Sequence, residues 1–342
     1  MSSIEQTASR KTRIVSAEKI LSLTRGYWPA KAVLVAARLD VFSTLHRSGK
    51  RAEEVARRLN LDARATELLL NALVGLGFLR KSGERFSNTA HAERFLVRTS
   101  VENMLFMLRH HDNLWSLWSK LEETVRTGRA PRQKREKREE RRDFALAMHQ
   151  NSIPRARGAA ERIDLRGRGR LLDLGGGVGT YAIEFCRRNR QLKATVFDRP
   201  VTRPYAEEVI SKSRMARRIE FVGGDFNRDA LGGPYDAAWL SAIIHSEGPR
   251  NVQRLFRRVG DCLKSGGLIL VSDFFLNSDR TRPAPAALFS LNMLVATERG
   301  RSYSEEEVRG WLHEAGFVRI RRLRGVLRPP AGILAAEKIA SV

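Results

Sequence analysis

The chain is short of cysteine, of acidic residues and of long apolar runs, and each shortage removes a class of explanation. Its two cysteines in 342 residues, Cys186 and Cys262, fall in stretches of helical spacing and offer neither a disulfide framework nor a metal-ligand pattern. No stretch approaches the ~18 uninterrupted apolar residues that a membrane-spanning helix needs. The opening Met1-Ser2-Ser3-Ile4-Glu5 lacks the basic-then-apolar layout of a secretory signal, so a cytoplasmic location is expected. Against 38 Asp and Glu stand 62 Lys and Arg, a formal charge of +24. The two halves of the chain share that excess equally, +12 in residues 1–150 and +12 in the remainder. It is therefore read as an arginine-rich solvated surface rather than one nucleic-acid-reading domain, with weak contact to an anionic surface as the other reading. Such a field favours anionic or weakly acidic substrates.

What is present centres on Leu171–Gly179, LLDLGGGVG. Apolar residues and Asp173 run into Gly175, Gly176, Gly177 and Gly179, after which Thr180 to Phe185 resumes helical spacing. This is a buried parallel strand, a glycine turn and a helix whose free N–H groups point at whatever lies on the loop. The third glycine of the dinucleotide fingerprint G-x-G-x-x-G is missing. A second strand, Leu192 to Phe197, ends in Asp198, an acid placed to take two ribose hydroxyls. A third, Ile219 to Val222, runs into Gly223-Gly224-Asp225-Phe226. Ligands of open α/β sheets bind at these carboxyl ends.

Upstream, residues 1–24 read as an arm or first helix. Helices are expected from Tyr27 to Leu39, from Ala52 to Leu59 and from Ala65 to Leu76, with a hairpin turning at Ser82-Gly83. Helix, helix, helix, hairpin is the winged-helix order, which raises a DNA-binding regulator as the rival reading. The helix in the reading position offers only Arg64, Glu67 and Asn71 as polar residues among leucines, which suits packing against a partner better than base recognition.

Residues 101–125 carry Met104, His110, His111, Trp115 and Trp118 at helical spacing, read as core or as contacts for a flat apolar substrate. Residues 126–142 hold nine basic residues mixed with Glu136, Glu139 and Glu140, read as a solvated loop leading into a charged helix. Phe144 to Ser152 then sets Met148, His149 and Asn151 close together, with a break expected near Pro154. Asn292 and Met293, on the expected Ala286–Thr297 helix, join Met104, Trp115, Met148 and Asn151 as candidate substrate contacts. No metal set is expected, because two neighbouring histidines lack further ligands.

A fourth strand, Tyr235 to Ile244, delivers His245, and a fifth, Leu268 to Ser272, delivers Asp273. Two further strands, Val318–Leu323 and Gly332–Lys338, close the sheet. Imidazole exchanges a proton near neutral pH, and a carboxylate on its other nitrogen fixes the tautomer and strengthens the base. That chemistry suits deprotonation of a hydroxyl during an in-line displacement.

Taken together, LLDLGGGVG, VFDRP, GGD, IIHSEGP, LVSDFFL and YSEEE resemble the two-domain S-adenosylmethionine-dependent O-methyltransferases. That family includes plant caffeic acid, acetylserotonin and bacterial polyketide and carotenoid enzymes, and the resemblance covers nearly the whole chain. It implies an α/β fold, a Rossmann-like class I methyltransferase sheet over residues 166–342. A helical winged-helix dimerisation domain would occupy residues 1–100, and a helical linker contributing to the substrate pocket residues 101–165. It implies a homodimer, S-adenosylmethionine as cofactor, and a small-molecule hydroxyl as acceptor. By resemblance Gly175 and Gly177 hold the methionine part, Asp198 the ribose, and Asp225 and Phe226 frame the adenine, with Asp173 and Ser241 completing the set. His245 falls on the general base and Asp273 on an acid flanking it. The chain departs from the family at Ser246-Glu247, where His-Asp-Trp is common, and at Ser241, a lysine in plant members. The family's second acid falls near Ser302, which leaves Glu298 or Glu247 as substitutes. Members that methylate carbon or hydroxylate keep a different reaction open, as does a catalytically idle cofactor-binding dimer.

Overall fold

The computed structural model describes residues 15–132, 138–327 and 330–339. The chain divides between Asn103 and Met104 into two units.

Capped helices build the amino-terminal unit. Ser16 accepts a hydrogen bond from the Lys19 N–H at 3.2 Å and starts α1 (Ala17–Arg25), on which no residue is buried. There follow α2 (Tyr27–Arg38), α3 (Val41–Thr44), α4 (Ala52–Leu59) and α5 (Ala63–Gly75), the last capped by Asp62 at 2.7 Å from the Ala65 nitrogen. The antiparallel hairpin β1 (Leu79–Ser82) and β2 (Arg85–Asn88) precedes α6 (Ala90–Leu96). Phe42, Leu45, Val55, Leu70 and Leu73 form its buried centre. The buried Asn88 amide donates to the Phe42 carbonyl at 2.8 Å and ties hairpin to α3. Asn71, one of the polar residues of α5, is exposed and accepts from Lys81 of the hairpin at 3.1 Å. Residues 1–14 of the expected arm lie outside the described residues.

The second unit opens with α7 (Leu105–Trp118), α8 (Leu121–Thr127) and α9 (Arg138–Arg162). Part of the basic loop, 133–137, lies outside the described residues. Pro154 does not break the chain as expected but sits inside α9. A mid-helix proline costs about 3 kcal/mol. Here Ala156, Ala159, Ala160 and Ile163 form a stripe packed with Tyr181, Ala182 and Phe185, and that burial outweighs the lost backbone bond.

The sheet begins with β3 (Arg170–Leu174), α10 (Thr180–Arg188), β4 (Lys193–Asp198), α11 (Arg203–Lys212) and β5 (Ile219–Gly223). It continues through β6 (Tyr235–Ser241), α12 (Pro249–Cys262), β7 (Leu263–Phe274), α13 (Ala284–Ala296), α14 (Glu305–Glu314), β8 (Phe317–Arg322) and β9 (Ala331–Lys338). The spatial order is β5-β4-β3-β6-β7-β9-β8. The first five are parallel, while β9 runs antiparallel between β7 and β8. Alternate residues feed two cores. Leu171, Val196, Trp239 and Leu270 face α9 and α10, whereas Leu172, Phe197, Leu240 and Ile269 face Val252, Leu255, Phe256 and Val259 of α12. The strand containing Asp273 starts earlier than expected, at Leu263. That residue pairs with Tyr235 before an irregularity carries the chain to the Leu268–Ala237 pair. Strand order reverses between β3 and β6, which opens a crevice at their carboxyl ends.

Candidate active site

Five strand tips line that rim. At β3, the Asp173 carboxylate is buried and accepts from the Ala182 N–H at 3.1 Å, while its other oxygen has no partner among the described residues. Burial pushes its carboxyl up to about 7, with the Ala182 bond lowering it and the nearby Asp198 raising it. Gly175 and Gly177 take φ of 64° and 57°, the left-handed region that glycine enters without strain. A Cβ on Gly175 would also lie 2.3 Å from the Ile243 side chain. At β4, Asp198 accepts from the Gly177 N–H at 2.8 Å, the Arg199 N–H at 2.7 Å and the Thr202 hydroxyl at 3.0 Å. One acid thus holds the glycine loop. Beyond β5, Asp225 is exposed and accepts from the Asn227 N–H at 2.9 Å, while Phe226 packs on the α12-side core. Ser241, half-buried at the tip of β6, lies opposite Ser272 and near Tyr181, whose phenol burial pushes up.

Past Ser241 the Ala242 N–H still donates to the Ser272 carbonyl at 2.9 Å, and Ala242 then turns the chain with φ of 57°. A single helical turn, Ile244–Ser246, follows and carries His245. Its Nδ1 lies 2.7 Å from an Asp273 oxygen, with the two side chains 10% and 4% exposed. The same oxygen accepts from the Phe274 N–H at 2.7 Å. A carboxylate only accepts, so Nδ1 carries the hydrogen, and in the neutral imidazole the lone pair is on Nε2. Phe289 stands edge-on to the imidazole at 4.8 Å and to Phe274 at 4.6 Å. The bond between His245 and Asp273 is the one the strand ends predict. Neither substitute acid reaches it: Glu247 accepts from Asn227 at 3.2 Å and Asn251 at 2.7 Å, and Glu298 is 88% exposed. Ser302 is buried and donates to the Ala286 carbonyl at 3.1 Å.

Among the candidate substrate contacts, Asn292 accepts from the Trp118 indole at 2.9 Å and joins α13 to α7. Trp115 and Met148 are half-buried and Met293 is buried, whereas Met104 and Asn151 are exposed. His110 stands edge-on to Phe144 at 5.2 Å, and burial with His111 beside it holds it near 4. His149 places Nδ1 2.8 Å from the Thr180 hydroxyl at the start of α10, and burial keeps its imidazole below its ordinary value. Sequence reasoning missed Phe289, Thr202 and Thr180. Phe289 had a legible signal, three and four residues before Asn292 and Met293 on one helical face.

Residues 118–318 match the O-methyltransferase domain and residues 21–98 the O-methyltransferase dimerisation domain. The chain belongs to the O-methyltransferase family. The 3-hydroxy-5-methyl-1-naphthoate 3-O-methyltransferase of Streptomyces sahachiroi is 32% identical, covering 93% of this chain and 94% of its own. An O-methyltransferase family protein from Burkholderia thailandensis superposes with a TM-score of 0.88 at 27% identity, covering 96% of this chain and 100% of its own. Human N-acetylserotonin methyltransferase, solved with S-adenosylmethionine, gives 0.82 at 26%, covering 96% and 99%. This O-methyltransferase is S-adenosylmethionine-dependent, and its residues fit that cofactor. Gly177 has open space where a Cβ would sit, Asp198 ends the second strand, and a buried Asp173 oxygen lacks a partner among the described residues.

Proposed function

We propose that this O-methyltransferase methylates a hydroxyl of an apolar aromatic or polyketide-like small molecule, with His245 as general base and Asp273 as its orienter. When bound, S-adenosylmethionine supplies an electrophilic methyl group on a sulfonium. The acceptor's O–H proton passes to His245 Nε2 as the oxygen gains the methyl and sulfur keeps the electron pair of its broken bond. Asp273 holds the imidazole through Nδ1 and stabilises the imidazolium that results. Gly175, Gly177, Asp198, Asp225 and Phe226 bind and orient, and Asp173 and Ser241 border the same crevice. Residues 101–165 and α13 wall the acceptor pocket, Met104, Trp115, Met148, Asn151, Asn292 and Met293 among them. Residues 21–98 join two copies into a homodimer.

One observation carries this reading, the buried bond of 2.7 Å between His245 and Asp273 on the rim of the glycine loop. The relative from Streptomyces, named for a hydroxynaphthoate, supports an aromatic acceptor. The test is His245→Ala, assayed for adenosylhomocysteine release with a panel of hydroxylated aromatic acids. Turnover should fall at least about 10²-fold, with cofactor affinity by calorimetry nearly intact. Unchanged turnover removes the base and leaves alignment alone.

A further inference from the structure

We infer that Tyr303 is a positioning residue for the base, tying the turn that carries His245 to the strand that carries Asp273. The inference rests on the reading of His245 as that base. Tyr303 is 2% exposed, and its hydroxyl donates to the carbonyl of Glu247, two residues beyond His245. Its own carbonyl accepts from the N–H of Leu276, three residues beyond Asp273, at 2.9 Å. The neighbouring Glu305 N–H returns to the Leu276 carbonyl at 3.0 Å, so this contact is a short parallel bridge. One residue therefore grips both segments leaving the catalytic pair.

The surroundings make the grip stiff. Trp311 stands edge-on to the Tyr303 ring at 4.9 Å, and the Arg301 guanidinium lies 4.6 Å over it. Burial pushes the phenol up to about 12, so it remains a donor across the working range. Gly300 closes the turn from the same side. A Cβ there would sit 2.3 Å from the His245 carbonyl and 3.0 Å from Ser246 Cα. Removing the Tyr303 hydroxyl leaves the Glu247 carbonyl short of a partner and frees the turn, although no atom touching cofactor or acceptor changes. A small displacement of a positioned group is costly to rate, because alignment supplies much of the acceleration.

The experiment follows His245 itself by NMR of histidine-labelled protein, comparing wild type with Tyr303→Phe, Gly300→Ala and Trp311→Phe. Wild type should give a hydrogen-bonded Nδ1–H signal, and Tyr303→Phe should weaken it. In turnover, kcat should drop roughly tenfold with little change in KM for the cofactor. Gly300→Ala, which disturbs the same turn without touching the phenol, should reproduce the loss. Trp311→Phe, which loosens packing and keeps the hydroxyl, should leave the His245 signal in place. An unchanged signal in Tyr303→Phe overturns the inference, as does an equal weakening in Trp311→Phe. The NMR readout needs no acceptor, so the base reading can fail in His245→Ala while this coupling stands, and the reverse.

Discussion

Gly176 lies against Asp173 so closely that a Cβ there would stand 2.6 Å from the carboxyl carbon. The glycine loop thus folds directly over a carboxyl held near 7 by burial. Folded protein keeps a proton on Asp173 between its ordinary value of 3.8 and about 7, whereas the unfolded chain has released it. The folded state binds more protons in that window, so stability drops as pH rises through it, by a few kcal/mol at most. Asp173→Asn, neutral at every pH and still able to accept from Ala182, should raise the melting temperature more at pH 8 than at pH 5. Scanning calorimetry at the two values checks this, and an equal gain at both defeats it.

Asp273→Asn keeps the shape of the His245–Asp273 pair and changes its chemistry. An amide can donate to Nδ1 as readily as it accepts, which allows the wrong tautomer. We expect kcat to fall by about 10²–10⁴, with cofactor affinity unchanged. Stopped assays of adenosylhomocysteine and a cofactor titration read the two effects apart.

Gly175→Ala meets two penalties, a left-handed φ of 64° and the Ile243 side chain. The first costs about 1–2 kcal/mol. The second is removable, so Ile243→Ala in the same chain should recover part of the lost stability and cofactor affinity. A double-mutant cycle showing plain additivity would separate the loop from the turn.

Phe289→Ala removes the ring that stands edge-on to His245. KM for an aromatic acceptor should rise severalfold while cofactor affinity holds, because the ring contributes contact area rather than charge. Steady-state kinetics over a series of ring sizes measures it.

Much of the rim was legible because each strand announces itself. Largely apolar runs from Leu171, Tyr235 and Leu268 end in glycine, His245 or Asp273, and a parallel sheet must bring such ends together. The glycine loop was readable for the same local reason. Pro154 misled, since its helix is held by a stripe of alanines whose partners lie on α10. The earlier start of β7 was hidden by Lys264-Ser265-Gly266-Gly267, which reads as a turn until pairing of Leu263 with Tyr235 is known. Tyr303 and the His149–Thr180 bond depend on neighbours 56 and 31 residues away, and no local spacing encodes them.

Asp273 pairs on its far side with Gly332 of β9, the strand set antiparallel between β7 and β8. On the ribosome that flank is the latest part of the sheet to emerge. A nascent chain stopped before Ala331 lacks the partner of Asp273 on that side, which leaves β7 a bare margin beside the carboxylate. The glycine loop thus precedes in synthesis the strand that frames the Asp273 carboxylate.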